Sequence, residues 1–231
     1  AHVKLQGNAV DIGDNLYTLK FYTFLFDVAA AVLAVRYVKE VKDKTFYFLV
    51  LMFNVAFIYN TVFWGQVDAI FTFWGFAALL LAIEQRVVWS ILCLTIALNF
   101  KLQALVFIPI IGMLLLPTLL TLKGVKKIVV GLLVSLFFQI LLLLPFILTG
   151  RVEQVAHVIS DSVGHYPFPT VGAFNIWSIF LPNVSIEGMY NLSDDTKVGF
   201  LSYKQIGQLL FISAVLLALL PLLHYIIKKH I

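Results

Sequence analysis

The chain has 231 residues, of which 61% are hydrophobic and only 12% charged, with a formal net charge of +4. A soluble domain is closer to half apolar and a quarter charged, so a soluble enzyme or binding module is excluded and the class is a polytopic helical membrane protein. The lysines and arginines fall mostly in short loops between apolar runs, which points to membrane lipids rather than nucleic acid as their surroundings; the single cysteine, Cys93, excludes an internal disulfide.

Residues 1–18 are mixed and polar, with Asp11, Gly13, Asp14 and Asn15 marking a loop, and carry no signal peptide. Apolar runs then predict an all-α bundle of about seven membrane segments, over residues 19–37, 46–63, 68–83, 87–100, 102–122, 128–148 and 206–227. The third and fourth are short for a crossing. Arg36, Lys39, Lys42 and Lys44 follow the first segment, Arg86 the third, Lys123, Lys126 and Lys127 the fifth, and Lys228 and Lys229 the seventh. Alternating helices put all of these on one side, which the positive-inside rule makes cytoplasmic. The 64–68 turn, Lys101 and the long 150–204 stretch are then extracytoplasmic.

Within that stretch, Val152, Val155, Ala156, Ile159 and Val163 recur at a helical period with a polar opposite face, predicting an amphipathic helix in the membrane interface. Residues 165–169 are expected to be extended, because each proline biases its predecessor away from helix. Thr170 then caps a short helix carrying Asn175 and Trp177, and residues 181–197 read as loop. With no internal repeat or low-complexity linker, residues 1–231 form one membrane domain.

The densest chemistry lies in Trp64-Gly65-Gln66-Val67-Asp68, between two apolar runs. Asp68 opens a helix, where the unpaired N–H groups stabilise a carboxylate by about 0.3–1 kcal/mol, so capping alone explains it. Trp64 and Gln66 are superfluous to a cap, and Gly65 lets a ligand approach the backbone. Lys101, expected at the start of the fifth helix, faces an unfavourable dipole, which an anion nearby would offset; the alternative is snorkelling to the interface. Asn99 and Gln103 flank it with further donors. Asp27 lies deep in the first segment with Lys20 at i−7, either a functional acid or a carboxylate held by neighbouring helices. Arg151, His157 and His165 are extracytoplasmic candidates for binding an anion or moving a proton, or are simply solvated. Asn175 is a substrate contact or a helix-packing amide.

Taken in order, Lys20…Asp27, Trp64-Gly65-Gln66-x-Asp68, Lys101-x-Gln103-Ala104 and Ala173-Phe174-Asn175-Ile176-Trp177 resemble the GT-C superfamily of integral membrane glycosyltransferases, most closely the bacterial Gpi18-like mannosyltransferase group and more distantly the ALG6/ALG8-type enzymes. The resemblance runs from about residue 19 to residue 180. It implies transfer of a hexose, mannose or glucose, from a polyprenyl- or dolichyl-phosphate donor to an extracytoplasmic glycan, lipid or protein acceptor, in a bacterial cell membrane or the endoplasmic reticulum. It assigns Lys101, Gln103, Arg151 and His165 to the lipid phosphate, and Trp64, Gln66, Asp68, Asn175 and Trp177 to the donor or acceptor pocket. The superfamily's first helix and acidic catalytic loop have no counterpart here. The chain is therefore expected to be a fragment that is inactive alone, with its catalytic residue unknown and Asp68 the one candidate. No cluster of His, Cys and Glu stands at metal spacing, so the sequence points to no particular cofactor, a divalent cation being the one alternative. The competing readings are a transporter or flippase-type protein, whose polar sites would lie at the midplane, and a non-catalytic membrane subunit.

Overall fold

Apolar runs of this length become helices because a backbone in lipid has to satisfy its own N–H and C=O groups. The computed structural model describes residues 2–5, 8–11, 16–162, 167–170, 176–181 and 192–230. They fall into two units, Ala1–Ile140 and Leu141–Ile231, each treated by itself below.

The first unit opens on an antiparallel hairpin, β1 (His2–Leu5) with β2 (Asn8–Asp11), in which His2 lies opposite Asp11 and Leu5 opposite Asn8. Of the loop marked by Asp11, Gly13, Asp14 and Asn15, Asp11 ends β2 and the other three lie outside the described residues. Helix α1 (Leu16–Ala34) continues through a 3-10 turn, Val35–Tyr37. Helices α2 (Val41–Met52) and α3 (Val55–Ile58) replace the single run expected over 46–63, and the chain bends by 45° between them. Asn54 causes the break: its backbone is extended and its side chain accepts a hydrogen bond from Ala56 N at 2.8 Å, capping α3.

From Tyr59 to Trp64 the helix widens to a π-turn and stops at Gly65, whose φ of +72° lies in the left-handed region. Gln66 N then donates back to Asn60 O at 3.0 Å, a six-residue closure that only a left-handed residue permits. Helices α4 (Asp68–Ile83) and α5 (Val87–Phe100) follow as a closely packed hairpin. Their contact is built from small residues: Ala78, Ala82, Ala97 and Ser90 are completely buried, and Ser90 Oγ donates to Ala78 O at 2.8 Å. Helix α6 (Ile108–Leu115), between the 3-10 turns Leu102–Phe107 and Leu116–Leu120, closes over α4. The ring of Phe107 occupies the space left by Gly75, where a Cβ would come within 2.3 Å of it.

Helix α7 (Leu122–Leu148) leads into the second unit, which contains α8 (Val152–Ser162), α9 (Ile176–Phe180), a hairpin of β3 (Lys197–Val198) and β4 (Leu201–Ser202), and α10 (Tyr203–His230). Val158 and Ile159 on α8 are exposed. Of the loop expected over residues 181–197, residues 192–196 are bend, turn and irregular backbone, Lys197 already belongs to β3, and residues 182–191 lie outside the described residues. The hairpin delivers Ser202 to the start of α10, where Ser202 N donates to Gln205 Oε1 at 2.9 Å and Gln205 N to Ser202 Oγ at 3.3 Å, a capping box.

Each of the seven expected segments is occupied by helix, but length alters the count of crossings. Among the described residues four helical stretches are long and apolar enough to span a bilayer, or five if the bent pair is one span. The 16 and 14 residues of α4 and α5 extend only about 24 and 21 Å, short of the ~30 Å hydrocarbon core.

Candidate functional site

Because α4 and α5 are antiparallel, the first turn of α4 lies beside the last turn of α5. That juxtaposition brings together Asp68 and Lys101, 33 residues apart: Lys101 Nζ donates to Asp68 Oδ1 in a short ion pair. Both side chains are partly open, at 26% exposure for Lys101 and 32% for Asp68. The ammonium also lies 5.8 Å from the centre of the Phe71 ring.

Lys101 stands at a junction: it precedes the 3-10 turn that opens the fifth expected segment, as the sequence reading has it, and it also closes α5. It ends α5, in an extended conformation, with its N–H bonded to Ala97 O at 3.1 Å, and the helical turn after it is 3-10. A cation at a helix C-terminus is stabilised, as an anion is at an N-terminus, by about 0.3–1 kcal/mol each. Both members of the pair therefore agree with their dipoles, and the anion expected beside Lys101 is Asp68. An ammonium has three donors, of which Asp68 takes one.

The rest of the turn is fixed from α1. Lys20 Nζ donates to Val62 O at 2.6 Å, and its Cε lies where a Cβ on Gly65 would meet it at 3.3 Å. One face further along α1, the buried Asp27 accepts a hydrogen bond from Thr61 Oγ1 at 2.5 Å, beside a cavity of about 20 Å³ also lined by Phe24 and Met52, enough for one water. Lys20 and Asp27 do not pair with each other; both grip the π-turn. Trp64 is exposed and meets the ring of Tyr59 edge to face at 6.0 Å. Gln66 is half-buried, and its side chain makes no hydrogen bond among the described residues.

The remaining candidates are not gathered around the pair. Asn99 points its amide at Gln139 on α7, in a reciprocal pair at 2.7 and 3.1 Å, rather than at Lys101. Gln103 is exposed, with no side-chain hydrogen bond among the described residues. Arg151 is exposed just before α8, and His157 lies 3.9 Å from Glu153. Trp177 belongs to the second unit, where its ring meets Tyr203 edge to face at 5.0 Å. His165 and Asn175 lie outside the described residues. Among the described residues no three His, Cys, Asp or Glu side chains converge as metal ligands.

A second charged cluster occupies the other end of the α4–α5 hairpin. Glu84 accepts from Tyr37 Oη at 2.5 Å and lies 3.5 Å from Arg36 and 3.6 Å from Arg86. The Tyr37 hydrogen bond, then the two guanidiniums, hold its carboxyl below the usual value of 4.5 against some desolvation. Gln85, left-handed with φ +57°, is tied by its side chain to Ala82 O at 3.1 Å, Leu114 O at 3.3 Å and Thr118 Oγ1 at 3.2 Å.

Among the buried polar residues, sequence reasoning missed Thr61 and Asp194, the latter in the second unit. Thr61 had a signal, as a hydroxyl at the middle of an apolar run; Asp194 had none that a local pattern shows. Compared with known proteins, residues 2–163 match the family described as ALG3 protein, a GT-C-type family of membrane mannosyltransferases. No curated protein and no solved structure matches the chain.

Proposed function

Since the chain belongs to the ALG3 protein family and so to the GT-C membrane glycosyltransferases, we propose that it forms the membrane core of an enzyme that moves mannose from dolichyl phosphate to a hydroxyl of a membrane-bound glycan. The Gpi18-like resemblance and the matched family agree on mannosyl transfer by a GT-C enzyme. The transporter or flippase-type reading gains nothing from the match.

The observation that carries the proposal is the Asp68–Lys101 pair, partly exposed and set beside the Trp64-Gly65-Gln66 turn. In the transfer, the acceptor oxygen bonds to the anomeric carbon as the anomeric carbon–phosphate oxygen bond breaks. The acceptor proton passes to a base, and the electron pair leaves with the phosphate, which gains a negative charge. Lys101, with two donors beyond the one given to Asp68, is placed to hold that charge. Asp68 keeps the ammonium oriented between turnovers. Its own bond to Lys101 makes it a positioning group rather than the base. Gln66 and Trp64 would line the approach, Gln103 would serve the phosphate from the rim, and the pair's end of the hairpin would face away from the cytoplasm.

The test is transfer by the full-length protein in lipid nanodiscs. With mannose on the dolichyl phosphate the product should form, at a rate that Lys101→Ala lowers and Lys101→Arg partly restores. A protein that takes up or flips the donor without transferring sugar, or that uses dolichyl-phosphate glucose alone, would refute it.

A further inference from the structure

Asp194 is a carboxylate in the wrong place for a structural acid. It is 9% exposed, and its Oδ1 is buried with no hydrogen-bond partner among the described residues. Its Oδ2 faces Lys204 Nζ at 3.9 Å. Beyond that ion pair, the segment is not held by the Asp194 side chain. Main-chain bonds hold the segment, from Asp194 N to Pro167 O and from Lys204 N to Asp194 O, both 2.9 Å. The turn is closed by Ser193, whose carbonyl accepts from Thr196 N at 3.1 Å and whose Oγ accepts from Asp195 N at 3.2 Å. The start of α10 is capped by Ser202 and Gln205. A buried polar atom left unpaired is costly, and native chains keep one where something arrives to use it.

The surroundings say what would arrive. Tyr203, one residue before Lys204, stacks its ring edge to face against Trp177, and the indole also lies beside Gly207, one turn on, at a distance where an added Cβ would make ordinary contact at 3.6 Å from Trp177 Nε1. Both rings are half-buried, so part of each is open. An acceptor-only carboxylate oxygen, an ammonium and two aromatic rings around one helical turn fit a ligand with hydroxyl donors and an apolar C–H face. A phosphate would meet the carboxylate with repulsion, and a purely apolar lipid would leave Oδ1 unpaired.

We infer that Asp194, Lys204, Trp177 and Tyr203 form a hexose subsite: a sugar hydroxyl donates to Asp194 Oδ1 while the sugar's C–H face rests on the aromatic pair. The hexose belongs either to the acceptor glycan or to the donor. The inference rests on the reading that this protein handles sugars, but not on Lys101 or Asp68.

The experiment uses the full-length protein in nanodiscs and free mannotriose, with binding followed by saturation-transfer NMR. Wild type should show saturable binding that Asp194→Ala weakens about tenfold to a hundredfold, the range for one hydrogen bond to a charged group. Asp194→Asn, which keeps the shape and one acceptor oxygen, should retain part of it and guards against misfolding as the cause. In the transfer assay, a raised KM for the acceptor glycan with unchanged donor KM places the subsite on the acceptor, and the converse on the donor; kcat should change little in either case. Equal mannotriose binding by Asp194→Ala and wild type, or no saturable binding by wild type, would overturn the subsite. Asp194-dependent binding in a protein that transfers nothing would leave the subsite standing and remove the transferase reading.

Discussion

The two ends of the α4–α5 hairpin carry the same kinds of charge in opposite relation to the helices. At one end Asp68 opens α4 and Lys101 closes α5, so each charge agrees with its dipole. At the other, Glu84 closes α4 and Arg86 precedes α5, so each opposes its dipole. The opposed end is held by many contacts: Tyr37, two arginines, and the strained Gln85 tied to three neighbours. At the agreeing end a single ion pair joins the two helix ends, and the adjoining turn is fixed from α1. A site that must open to a ligand is better built from a single bond between two groups that are each stable apart. On the proposed function, the crowded end is a fixed clasp and the sparse end the place where a partner is exchanged.

The largest expected effect is at the sparse end and is functional. Lys101→Ala should raise the donor KM about tenfold to a hundredfold, as for a lost charge-assisted contact. Its thermal midpoint should fall by much less than that of a variant that breaks the clasp. A melting temperature lowered as much as in a clasp variant would make both ends structural and end the distinction.

At the clasp, Gly124→Ala should destabilise the protein most. Its Cβ would come 1.9 Å from the carbonyl oxygen of Thr118, the residue whose hydroxyl holds Gln85. Overpacking of this kind costs about 1–3 kcal/mol, read as a shift in the denaturation midpoint, with donor KM unchanged. Gly65→Ala at the opposite end should cost about 1–2 kcal/mol for its left-handed backbone and should lower transfer as well, because Lys20 has to give way. Loss of stability without loss of transfer would detach the turn from the site.

The smallest effect is a pH dependence at the clasp. The Glu84 carboxyl is held below its ordinary 4.5, chiefly by Tyr37, so the stability it contributes is present above that value and is lost as pH falls through the lowered one. Glu84→Gln should flatten that acid limb slightly and leave the neutral region nearly unchanged. An acid limb of equal slope in the variant would assign the dependence elsewhere.

Much of this was legible in sequence, for reasons that also mark the limit. Helices α4 and α5 begin and end where expected because Asp68, Glu84, Arg86 and Lys101 punctuate the apolar runs. The bend at Asn54 carried a cap signal that the surrounding apolar run concealed. The π-turn was not readable, since its cause is tertiary: Lys20 and Asp27 reach across from α1 to Val62 and Thr61. Lys101 stands where expected, just before the stretch that starts at Leu102, but its second role as the residue that closes α5 went unread because apolar residues continue on both sides of it. Pairing over 33 residues depends on how two helices fold back, which no local pattern encodes. Asp194 was overlooked because its distinction, a buried and unpartnered oxygen, exists only in three dimensions.

The central claim, that the Asp68–Lys101 pair is the exchangeable contact for the lipid phosphate, is tested most directly by the affinity of the full-length protein for dolichyl phosphate across Asp68→Asn, Lys101→Ala and the double variant. Asp68→Asn should bind at least as tightly as wild type, because Lys101 is freed, while Lys101→Ala and the double variant should be equally weakened. Unchanged affinity in Lys101→Ala, or a loss in Asp68→Asn as large as in Lys101→Ala, would contradict it.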